Sequence, residues 1–116
     1  MNDIHKIYSN TIGITFYWKK NTSTEKTKIQ LVFKDIGFLV TLEELQEFLE
    51  HCNITFQSQC CHQCTNRDCR SLLLKTISSN IDLAVSQNEL EEIKDLIQQT
   101  IIKTAIQDWV ENLCLN

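Results

Sequence analysis

Apolar residues recur at every second position in three stretches of the chain and at helical spacing in two others. Ile12, Ile14, Phe16 and Trp18 fall on one side of an extended segment, which predicts a half-buried strand. After the polar run Asn21-Thr22-Ser23-Thr24-Glu25, Ile29, Leu31 and Phe33 alternate again, so the two segments predict a hairpin with a long loop. Phe38-Leu39-Val40 predicts a short third strand. Leu72 to Ile77 and the alternating Ile81, Leu83 and Val85 predict a second hairpin around Ser78-Ser79-Asn80.

Each strand set runs into a helix-start signal. In Thr41-Leu42-Glu43-Glu44, the Thr41 hydroxyl can accept from the Glu44 N–H while the Glu44 carboxylate returns the bond to the Thr41 N–H. Leu42, Leu45, Phe48 and Leu49 follow, predicting a helix from Leu42 to about His51. Ser86-Gln87-Asn88-Glu89 repeats the motif and opens a second helix that no proline interrupts before the C-terminus. The two halves align without gaps. Ile36, Phe38, Val40, Thr41, Glu44 and Leu45 match Ile81, Leu83, Val85, Ser86, Glu89 and Leu90, an offset of 45 residues that reads as ββα used twice.

The second helix has two characters. Leu90, Ile93, Ile97 and Ile101 form a core stripe, but beyond them Ile102, Ala105, Ile106, Trp109, Val110 and Leu113 widen the apolar surface. Unbroken to Cys114, such a helix is about 43 Å long, against a radius of gyration of roughly 13 Å for a compact domain of this size. Its end is expected to overhang the domain and to form a homodimer through Ile102, Ile106, Trp109, Val110 and Leu113.

At 116 residues, 42% apolar and 22% charged, the chain reads as one globular domain over 1–116. It divides into hairpin, strand and helix over 12–51, a cysteine loop over 52–70, and hairpin and long helix over 71–116. The expected architecture is α+β: a two-layer domain with an antiparallel sheet of about five strands and two helices on one face. A net charge of −4 without a basic run disfavours nucleic-acid binding. No apolar run is long enough for a membrane span, and Met1 to Lys6 shows no secretory h-region, so the expected compartment is the cytoplasm. His5 falls in a segment expected to be frayed and without a role.

In a reducing compartment, six cysteines point to metal or thiol chemistry before disulfides. Cys61-x-x-Cys64 has the spacing at which two thiolates reach one tetrahedral ion, and Cys69 is a natural third ligand. Asn66 can take the left-handed conformation such turns require. Cys52 is the first choice for the fourth ligand, with Cys60, His62, His51 and Cys114 as alternatives; adjacent Cys60 and Cys61 do not both fit one site. Arg67 and Arg70 would offset the thiolate charge. The set predicts structural zinc. A redox dithiol at Cys61/Cys64 is the alternative, although no helix start follows that pair to stabilise a thiolate. A nucleic-acid-associated zinc module is a third reading, disfavoured by the acidity.

With only Gly13 and Gly37, the chain has no phosphate-binding loop. Glu43, Glu44, Glu89, Glu91 and Glu92 suit the positive ends of helix dipoles better than catalysis. Trp18 and Trp109 suit core or interface anchoring. The expected function is a non-enzymatic, zinc-stabilised interaction domain. Across Phe38 to Phe48 and Cys61 to Leu90, the T-x-E-E-L…F helix start, the cysteine pair, the basic strand and the S-x-x-E-L helix start resemble an uncharacterised family of short bacterial cysteine-containing domains. That resemblance covers about two thirds of the chain and implies no activity.

Overall fold

The structure, a computed structural model, describes residues 4–18, 28–57 and 69–114, with side chains up to Val110. Among the described residues six strands and two helices follow in the order β1 (Ile4–Ser9), β2 (Gly13–Trp18), β3 (Ile29–Phe33), β4 (Ile36–Val40), α1 (Leu42–Gln57), β5 (Leu72–Lys75), β6 (Asp82–Val85) and α2 (Gln87–Cys114). The fold is α+β, with all strand pairs antiparallel. The strands divide into a four-stranded meander, β1-β2-β3-β4, and a separate β5-β6 hairpin.

The segment around His5 is a strand, against the expectation that it frays. β1 pairs with β2 from Ile4↔Trp18 to Ser9↔Ile14, with a register shift between Lys6 and Tyr8. The extra residue, Ile7, resets the alternation, which is why no period-two pattern betrays this strand.

Both capping boxes form. The Glu44 N–H donates to Thr41 Oγ1 at 3.1 Å and the Thr41 N–H to Glu44 Oε1 at 3.0 Å. The Glu89 N–H donates to Ser86 Oγ at 3.0 Å and the Ser86 N–H to Glu89 Oε1 at 2.9 Å. Helix α1 continues to Gln57, six residues past His51, because Cys52 and Phe56 extend the buried stripe of Leu45 and Phe48 by one turn each.

The core lies between the four-stranded sheet and the helices. Ile29, Leu31 and Phe33 of β3 meet Leu45, Phe48 and Cys52 of α1 and Leu90, Ile93, Leu96 and Ile97 of α2, joined by Leu72, Leu74 and Val85 of the small hairpin. Phe48 is the hub of an aromatic cluster, with ring centres 6.2 Å from Phe33 and 5.7 Å from Phe38. The offset between the halves survives in three dimensions: Val40, Leu45, Phe48 and Cys52 are buried, and so are Val85, Leu90, Ile93 and Ile97.

Strand β2 turns its apolar set away from the helices. Thr15 and Tyr17 pair with Leu31 and Ile29, so they share the helix-facing side with those core residues. Ile14, Phe16 and Trp18 lie on the outer face, opposite or beside Val32, Gln30 and Ile4. Trp18 is braced there by an Nε1–H bond to Gln30 Oε1 at 2.9 Å and packs edge-on against Phe16. On the inner side, buried Thr15 and Thr100 of α2 are 2.7 Å apart, and Thr100 can donate to the Leu96 carbonyl. Thr15 Oγ1 also lies 3.4 Å from the Tyr8 carbonyl, so either hydroxyl can be the donor between them. Alternation identifies a strand but leaves open which face meets the helices.

Candidate metal centre

Four of the six cysteines fall in the connection between α1 and β5, while Cys52 and Cys114 fall in helices. Cys60, Cys61, His62 and Cys64, with Asn66 and Arg67, lie outside the described residues, as does the side chain of Cys114 in the last turn of α2. The structure therefore places three of the candidate ligands.

Cys52 is fully buried among the core residues of α1. Burial pushes its thiol up to about 12, and the charge of Lys94 lowers it only in part. A thiol held so far from ionisation packs as a small hydrophobe. Its counterpart at the 45-residue offset, Ile97, is buried too.

Cys69 is exposed and stands three residues before β5. His51 of α1 bonds through Nδ1 to the Lys75 carbonyl at 3.0 Å, while its Nε2 is 3.9 Å from Glu47 Oε2. The tautomer that makes the carbonyl bond leaves the lone pair on Nε2, which is the orientation of a metal-ligating histidine. Among the described residues, no three His, Cys, Asp or Glu side chains converge as a metal cluster.

What anchors this region is an ion-pair cluster. Arg70, next to Cys69, reaches Glu89 with Nη2 at 2.8 Å and Nε at 3.1 Å, and Lys34 Nζ lies 3.3 Å from the same carboxylate. Glu89 therefore joins the β3–β4 turn, the segment before β5 and the start of α2. Burial raises its carboxyl, but hydrogen bonds from Arg70, the Ser86 N–H and Lys34, with the charge of Lys34, overcome that and hold it at about 2. Lys34 takes φ = 59° in the two-residue turn, which aims its side chain across this junction. The S-x-x-E motif made Glu89 legible as a cap, but nothing in sequence spacing signals its two cationic partners. The concavity over the α2 N-terminus, lined by Arg70, Ser86, Asn88, Glu89, Glu91 and Glu92, has Arg70 and Glu89 already committed to each other.

A second cluster fixes α2 to the sheet edge. The Tyr8 hydroxyl donates to Asp95 Oδ2 at 2.8 Å, and Asn10 Nδ2 donates to Asp95 Oδ2 and to the Glu92 carbonyl. Asn10 Oδ1 accepts from the backbone of Ile12 and Gly13, closing the β1–β2 turn. The bond to Asp95 raises the Tyr8 hydroxyl pKa, with smaller contributions from burial and the Asp95 charge.

Fold and site together define a small α+β domain with a cysteine-rich connection between a four-stranded meander with its helix and a two-stranded hairpin with its longer helix. The chain belongs to the Family of unknown function (DUF6686), whose model matches residues 2–113, in line with the resemblance seen in the motifs. No curated protein and no solved structure matches the chain. No helix among the described residues is long and apolar enough to cross a membrane.

Proposed function

We propose that this chain is a non-enzymatic protein-interaction domain whose α1–β5 connection is held by a structural zinc ion. The observation that carries the reading is the partition of cysteines. Cys52 is spent in the core, whereas Cys69 is exposed beside the Arg70–Glu89 anchor, in the same connection as Cys60, Cys61 and Cys64. Cys61, Cys64 and Cys69 supply three thiolates, and the fourth ligand comes from His62, His51 or Cys114. Cys52 ranks last, because ionising it in the core costs more than a surface thiol. Zinc bound in this way ties a long connection to the domain and contributes to folding directly. The free thiols this chemistry needs place the protein in a reducing compartment such as the cytoplasm.

Elemental analysis of protein purified without added metal tests the reading. About one zinc per chain is expected, lost in Cys61→Ser, Cys64→Ser and Cys69→Ser but retained in Cys52→Ala. Metal-free protein with every thiol titratable would overturn it, and a fast-reacting Cys61 in that protein would point instead to dithiol redox chemistry.

A further inference from the structure

Helix α2 carries an apolar stripe that its own domain does not cover. Among the described side chains Thr104 is the last buried one along it, and every residue from Ala105 to Val110 is exposed. Ile102, Ile106 and Trp109 follow at spacings of four and three with Val110 alongside, exposed by 43, 55, 64 and 45% respectively. That spacing is the seam of paired helices. At 100° per residue the stripe lies roughly opposite Ile97 and Thr104, which face the core. In earlier turns the same line of the helix is polar and half-buried, with Asp95 bound to Tyr8 and Asn10 at the sheet edge. It turns apolar where the helix leaves the domain.

The internal segments outside the described residues do not carry the side chains to cover it. Residues 19–27 contain no apolar residue, and residues 58–68 contain none besides cysteine. At about 150–250 Å² per large side chain, the four exposures amount to on the order of 400 Å² per copy. Two copies set stripe to stripe would cover about 800 Å² of apolar surface, and with flanking polar atoms they approach the roughly 1,200 Å² at which specific interfaces begin. Beside the stripe stand Lys103 and Ala105, with no carboxylate between them, so two acidic chains meet here without carboxylates opposed.

We propose that α2 pairs through Ile102, Ile106, Trp109 and Val110 with the same stripe of a second copy, the two helices running antiparallel. A twofold axis makes the contact closed, each stripe meeting itself. The antiparallel sense sets Ile106 of each copy beside Trp109 of the other and opposes the helix dipoles. The proposal names the partner of the interaction domain and rests on that part of the functional reading, while being independent of the zinc.

Sedimentation of the full chain from 1 to about 200 µM tests it, with zinc content measured on the same samples. The wild type is expected to dimerise in the micromolar range. Ile106→Glu and Trp109→Ala are expected to weaken the pair at least 100-fold and 10-fold with unchanged circular dichroism, while Leu73→Glu, at an exposed site elsewhere, leaves it intact. Small-angle scattering of the dimer should give a maximum dimension well beyond the 56 Å length of one copy. A wild type monomeric at every concentration, or a dimer indifferent to both α2 variants, would overturn the pairing whatever the zinc content. A dimer no longer than one copy would overturn the antiparallel sense. Zinc-free dimers would sink the metal reading alone.

Discussion

Arg70 grips Glu89 with two nitrogens, at 2.8 and 3.1 Å, across 19 residues of sequence, and so fixes the end of the cysteine-rich connection to the first turn of α2. The carboxylate also closes the Ser86 capping box and meets Lys34. The Arg70 side chain is 61% exposed, so its ion pair alone is worth under about 1 kcal/mol. The junction owes its strength to one carboxylate serving three partners.

Glu89→Gln keeps an acceptor for the Ser86 N–H and removes the charge. The variant is expected to lose about 1 kcal/mol at pH 7. The folded-state carboxyl, held at about 2, lies below its ordinary value. Its stabilisation is therefore complete above about pH 4.5 and is lost as pH falls toward 2. Urea titrations at pH 7, 5 and 3 should show wild type and variant converging at the acid end. A constant gap down to pH 3 would rule the linkage out.

The buried pair Thr15–Thr100 is the polar joint between sheet and α2. Thr15→Val removes one hydroxyl of the pair without changing the shape of the side chain, at an expected cost of about 1 kcal/mol. Thr15→Val with Thr100→Val leaves neither hydroxyl buried and is expected to recover most of that loss. A double-mutant cycle by chemical denaturation reads the coupling, and additive losses would mean the two hydroxyls do not act together.

How much of this was legible follows from which signals are local. The two capping boxes need four consecutive residues each, and both formed at Thr41 and Ser86 as the sequence predicts. Strand β1 escaped because the bulge at Ile7 breaks the alternation. The inner face of β2 escaped because a threonine, Thr15, and not the apolar set, faces α2. Cys52 read as a ligand from its place at the expected end of the first helix, and its burial became visible only once α1 extended through it at the position equivalent to Ile97. The Arg70 and Lys34 contacts to Glu89 are long-range and leave no spacing to find.

Gly13 is the tightest point of the sheet. A Cβ there would overlap the Val32 carbonyl oxygen and come within 2.7 Å of Phe33 Cβ. The register places Gly13 opposite Phe33, a core residue, so backbone and side chain both resist displacement. Gly13→Ala is expected to destabilise by about 2 kcal/mol or more, whereas Gly37→Ala meets only the movable end of Gln30 at 3.1 Å and should cost far less. Thermal melts of the two variants decide this, and equal losses would contradict the asymmetry.

Thr104 points the other way, to a substitution that helps. Its Oγ1 is buried with no hydrogen-bond partner among the described residues, and the residue is 8% exposed. A buried hydroxyl in that state carries its desolvation cost without return. Valine has the same shape, buries no polar atom and is no worse a helix former. Thr104→Val is therefore expected to raise stability by about 1 kcal/mol, with the urea midpoint moving up and the slope unchanged. The site sits one turn from the exposed stripe of α2, on the opposite side of the helix, so the gain should be the same at low and high protein concentration. A gain that grows with concentration would place Thr104 in the pairing surface, and a loss would mean that its hydroxyl has a partner in solution.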